Sequence, residues 1–149
     1  MTKNKNSNEY LVICQEQIKG KGEDFFLFEV DQNRLIMGVF DGCGGSGAKI
    51  YPAFDGRTGA KVASRALAGA VKLWFQEYMQ KNRSEETLKM ITDKMLKTCK
   101  ERGSSGSELL GSLNREFPST IVFFTAVGED NRVDFYWCGD SRGYILDQD

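Results

Sequence analysis

Two stretches of the chain hold residues that could do chemistry: Glu23-Asp24 in "GKGEDFF" and Asp41 in "GVFDGCGG". An apolar run of β-formers, Leu35 to Phe40, stops at Asp41 and is followed by Gly42, Cys43, Gly44 and Gly45. If Gln32-Asn33 forms a two-residue turn, antiparallel pairing sets Asp24 opposite Asp41; a three-residue loop sets Glu23 there instead. Either register joins two carboxylates at the open end of one hairpin. Cross-strand neighbours lie only ~4.5–5.5 Å apart, so like charges there repel unless a proton or a cation sits between them. Mg²⁺ and Mn²⁺ take carboxylate, carbonyl and water oxygens, and glycines after Asp41 let a carbonyl or a bulky anion approach the backbone. The plainer alternative is open at this point. Asp-Gly is a common turn dipeptide that recurs at Asp55-Gly56, and Glu23-Asp24 alone reads as two solvated charges.

The elements that must position these residues run strands, helices, strands. "YLVICQ" (10–15), "DFFLFEV" (24–30) and "RLIMGVF" (34–40) are rich in aromatic and β-branched residues with little strict alternation, the pattern of strands covered on both faces. From 56 to 80, Val62, Ala63, Ala66, Leu67, Ala70, Val71, Trp74, Phe75 and Tyr78 recur at three and four, which predicts an amphipathic helix. A second helix is predicted over 84–102, with Ser84 as N-cap, Ile91 among its inner residues and Gly103 as its stop. A Gly/Ser-rich connection at 103–113 leads to strands at 119–127, 132–139 and 141–146. No boundary divides the chain, so 1–149 reads as a single domain.

Composition excludes several classes. The 149 residues are 40% apolar and 28% charged, enough for one core. Twenty basic and twenty-one acidic residues, intermixed, provide no extended basic field for nucleic acid. No stretch has the ~18 apolar residues of a membrane span and the first ten residues are polar, so a cytoplasmic protein without a membrane partner is expected. Cys14, Cys43, Cys99 and Cys138 form no Cys-x-x-Cys pair and read as free thiols. Histidine is absent, which removes every mechanism that needs an imidazole base or ligand.

Taken in order, "GKGEDFF", "GVFDGCGG" before an Ala-rich helix, "STIVFF" and "FYWCGDSRGYIL" resemble the N-terminal portion of the metal-dependent type 2C serine/threonine protein phosphatases. The resemblance spans nearly the whole chain, and "GDSRGYIL" is its most specific piece. It implies an α+β fold, part of an α/β/β/α sandwich of two antiparallel sheets flanked by antiparallel helix pairs, with "GDSR" in the sheet opposite the hairpin and the C-terminal part absent. By the same resemblance Asp41 would bridge two Mg²⁺ or Mn²⁺ ions, Glu23 and the Gly42 carbonyl would complete the second ion's site, and Asp24 would hold metal-bound water. Lys19 stands where the family has a phosphate-gripping arginine, a point charge in place of a bidentate fork. Cys43 stands where many relatives have a histidine acting as general acid. Asp140 is expected to brace its turn, with Ser141 or nearby amides, and not to ligate. The implied activity is hydrolysis of phosphoserine or phosphothreonine in a phosphoprotein substrate; a non-catalytic module that binds a phosphoprotein or another protein partner is the alternative. With the C-terminal strands absent, Ile121, Phe123, Phe135 and Trp137 should be partly uncovered and the chain should self-associate.

Overall fold

Strand β1 (Phe25–Asp31) turns through Gln32-Asn33 into β2 (Arg34–Gly42), and Asp31 pairs with Arg34 across that two-residue loop. This computed structural model describes residues 20–77, 86, 89–91, 93–94, 97, 117–128 and 132–144. After β2 come a short strand β3 (Ile50–Tyr51), a 3₁₀ turn (Pro52–Phe54), β4 (Arg57–Thr58) and helix α1 (Gly59–Glu77). Strands β5 (Ser119–Val127) and β6 (Arg132–Cys138) close the order. The main sheet runs β1-β2-β5-β6, antiparallel throughout, while β3 and β4 form a separate two-stranded ribbon. The described residues are thus of α+β type.

Period two sorts the sheet residues onto two faces, and α1 covers one of them. Leu27, Ile36, Phe40, Ile121 and Phe123 are buried against Ala63, Leu67, Val71, Trp74 and Phe75 of the helix. Phe123 stacks on Tyr136 at 4.7 Å between ring centroids, and Trp74 meets both rings edge-on. Gly38 is required at this contact, because a Cβ there would stand 2.7 Å from Phe123 Cβ. Residues 86, 89–91, 93–94 and 97 are helical, with Ile91 buried in the same core and Met90 packed against it.

The other face carries three rows of four cross-strand neighbours: Phe26-Val39-Val122-Trp137, Phe28-Met37-Phe124-Phe135 and Val30-Leu35-Ala126-Val133. Every one of these is apolar, yet Val39 is 49% and Trp137 65% exposed. The expectation of strands covered on both faces therefore holds for one face only among the described residues. Ile121 and Phe123, expected to be uncovered, lie under α1 instead; Phe135 is half-buried, and Trp137 is exposed beside half-buried Val122 and exposed Val39.

Three further expectations are corrected. The helix begins at Gly59, not at 56, because Arg57-Thr58 pair with Ile50-Tyr51. Residues 141–144 extend no strand. "GDSR" follows β6 in the same sheet as the β1-β2 hairpin, not in an opposite one, since β5 bridges β2 to β6. The proposed strand at 10–15, the cap at Ser84 and the stop at Gly103 lie outside the described residues.

Candidate functional site

The β1-β2 register continued by one pair beyond Phe25-Phe40 sets Asp24 opposite Asp41, the two-residue-turn alternative of the sequence. The Gly42 amide donates to Asp24 Oδ1 at 3.3 Å, so the Asp24 carboxylate is held across the hairpin end. The two Asp-Gly pairs are now distinguishable. Asp55 and Gly56 both have positive φ, 56° and 69°, and form a tight turn between β3 and β4. Asp41 and Gly42 are extended, paired with Thr120 and Ser119 of β5, so the aspartate is a strand-end residue.

The glycines after Asp41 answer to close approaches. A Cβ on Gly42 would sit 2.7 Å from the carbonyl oxygens of both Glu23 and Ala60, and one on Gly44 would collide with Glu23 Oε2. One on Gly47 would strike the Ala60 backbone and Pro118. Glu23, the first turn of α1 and Pro118 thus leave no space for side chains at 42, 44 and 47, whereas Gly45 faces open space.

That first turn is fully engaged. The Gly59 amide donates to Lys49 O, Ala60 to Gly47 O and Lys61 to Thr58 Oγ1. The donors that a helix N-terminus usually leaves without partners are therefore tied into the glycine loop and its cap. Thr58 in turn donates from Oγ1 to Glu23 Oε1 at 2.5 Å, and the buried Ser64 hydroxyl donates to the Glu23 carbonyl.

Negative charge gathers at Asp41. Burial pushes its carboxyl above the usual range, and the neighbouring Asp24 adds to the rise through a hydrogen bond and its charge, followed by the charges of Asp140 and Glu23. Cys43, half-buried, is also pushed up, first by burial and then by the charges of Asp41 and Asp140, against an opposing hydrogen bond from the Thr120 backbone. Its sulfur therefore holds its proton at neutral pH. Asp140 thus lies within electrostatic reach of Asp41 and Cys43, whereas the brace expected of it is supplied by Ser141, whose hydroxyl shares a 2.5 Å hydrogen bond with Thr120 Oγ1.

Of the residues singled out in the sequence, Glu23, Asp24, Asp41, Gly42 and Cys43 converge at this corner, and Lys19 lies outside the described residues. Thr58, Ser64 and Asp140 were not singled out for it. The threonine had a legible signal, a cap residue just before an Ala-rich helix; the other two depend on how elements far apart in sequence pack. Among the described residues no three of His, Cys, Asp and Glu are gathered into a ready-made metal cage. The carboxylates instead take nearby donors, Glu23 the Thr58 hydroxyl and Asp24 the Gly42 amide. The chemistry of the set, oxygen donors with crowded negative charge, fits a hard divalent cation. No helix among the described residues is long and apolar enough to cross a membrane. Comparison with protein-family models, curated proteins and solved structures returned no match.

Proposed function

We propose that this chain provides the carboxylate corner of a type 2C-like phosphatase that hydrolyses phosphoserine or phosphothreonine in proteins with Mg²⁺ or Mn²⁺. The observation that carries the reading is the convergence of Glu23, Asp24 and Asp41 on the end of one hairpin, with Asp41 made harder to ionise by burial and then by its acidic neighbours. Glu23, Asp24, Asp41 and the Gly42 carbonyl would hold the cation. The chemistry such ions supply when bound is acidification of water to a hydroxide able to attack phosphorus.

The chain's own residues do the rest. Thr58 and Gly42 orient Glu23 and Asp24, and Gly45, with open space where a Cβ would stand, leaves room beside the corner for a phosphorylated side chain. Lys19 would attract the phosphate as a point charge. Cys43 Sγ retains its proton at neutral pH and is in the form that can hand it to a leaving serine alkoxide, although a raised pKa makes it a reluctant acid. The finer fold, a second sheet facing the first in an α/β/β/α sandwich, is supported by the apolar sheet face turned away from α1.

Titration with Mn²⁺ tests the site. A weak single ion is expected, because these carboxylates form one side of a two-ion centre, together with little phosphate release from a phosphoserine peptide. Asp41→Asn should abolish the binding and Asp55→Asn should leave it intact. Equal effects of the two substitutions would return both Asp-Gly pairs to the role of turns. Binding of the phosphopeptide without Mn²⁺-dependent release would favour the non-catalytic module.

A further inference from the structure

We propose that Thr58 is a positioning residue that locks the Glu23 carboxylate to the N-terminus of α1. The inference rests on the reading of Glu23 as a cation ligand and adds a residue to it. A threonine hydroxyl has one proton to donate and lone pairs that accept. Here the Lys61 amide donates to Thr58 Oγ1 at 3.2 Å, so the helix cap occupies a lone pair, and the hydroxyl proton is left to point at Glu23 Oε1, 2.5 Å away. A backbone amide can only donate, so the Lys61 bond fixes the hydroxyl as its acceptor and leaves the hydroxyl proton for Glu23.

The rest of the surroundings keep Glu23 from turning away. Its carbonyl is held by Ser64, farther along the same helix, and its other carboxylate oxygen lies against Gly44, where any side chain would collide with it. The helix thus holds the residue's backbone through Ser64, and its N-terminal cap Thr58 holds the head group. The polar N-terminal end of α1, whose first amides are spent on Gly47, Lys49 and Thr58, also favours a negative charge in this place. Partners of this kind, one bond removed from a metal ligand, set the ligand's orientation and typically account for 10- to 100-fold in metal affinity.

Two measurements decide the matter, one of them free of metal. In a double-mutant cycle on the metal-free chain, Thr58→Val and Glu23→Gln should shift the urea midpoint by less together than the sum of their separate shifts; additive shifts would overturn the proposal. In Mn²⁺ titration read by electron paramagnetic resonance, Thr58→Val should weaken binding roughly 10- to 100-fold, and Thr58→Ser, which keeps cap and donor, should restore it. Equal affinities for the valine and serine variants would overturn the positioning role. Should the valine variant not fold, Thr58→Gly removes the hydroxyl while glycine remains a tolerated cap, and the same loss of Mn²⁺ affinity relative to Thr58→Ser is expected. A wild-type chain with no Mn²⁺ affinity would sink the phosphatase reading, while the metal-free cycle would still decide whether Thr58 holds Glu23.

Discussion

Asp41 is the residue at which folding and the proposed cation binding pull in opposite directions. Its carboxyl titrates above the ordinary value because burial, and then Asp24, Asp140 and Glu23, disfavour the charged form in the folded chain. A group whose folded pKa is raised contributes stability that is present below the unfolded pKa and is lost as pH rises through the folded one. Asp41 is exposed, so solvent screens much of this repulsion, and at neutral pH its ionised form is a small cost to the metal-free fold. Asp41→Asn should raise the urea midpoint slightly at pH 7 in the presence of chelator, with the advantage shrinking as falling pH protonates the wild-type carboxyl. Added Mn²⁺ should stabilise the wild type and leave the variant unmoved. A metal-free variant less stable than wild type at pH 7 would show that the Asp41 charge is already satisfied, and the cation argument would lose its electrostatic basis. The carboxylates themselves were legible in the sequence, because Glu23, Asp24 and Asp41 flank a hairpin whose register only the turn length controls. The contribution of Asp140 was not legible, since it depends on β5 lying between β2 and β6.

Elements of strong period were readable and those defined by contact were not. Strand β5 at Ser119–Val127 agrees with its expected span, and α1 lies within its predicted range because its apolar stripe repeats every three to four residues. The β3-β4 ribbon escaped notice because each strand has two residues, too few for any period, and its pairing is set by the tight turn at Asp55-Gly56. Strand β5 offers a test of the core it builds. Thr125 is 1% exposed, faces α1 between Ile36 and Asp134, and its hydroxyl has no hydrogen-bond partner among the described residues. A buried polar group left without a partner costs about 1–3 kcal/mol, and valine has nearly the same shape. Thr125→Val should therefore raise stability in urea by about 1 kcal/mol. A loss of stability would mean that the hydroxyl is bonded to buried water and that this end of the core is wetter than its apolar neighbours imply.

At the scale of the whole molecule the two faces of the sheet divide the labour. One packs on α1 and sets the carboxylate corner against the start of that helix; the other presents Phe26, Val39, Val122, Trp137 and their neighbours without a covering layer among the described residues. Soluble monomers seldom expose contiguous apolar patches of more than a few hundred Å², and outer strands such as β1 and β6 can pair with another chain. The 149-residue chain on its own should accordingly associate as its concentration rises, apolar face to apolar face, as the two sheets of a sandwich do. Light scattering over a concentration series reads the association, and near-UV circular dichroism of the two tryptophans reads the packing. The substitution that separates the faces is lysine. Trp137→Lys, at a position 65% exposed, should suppress association and leave the urea midpoint nearly unchanged, whereas Phe123→Lys, at 1%, should unfold the chain because a charge cannot be buried beside Trp74 and Tyr136. A concentration-independent monomer with unchanged tryptophan signals would show that the open face is covered after all, and the argument for a second sheet lying on it would fall with the prediction.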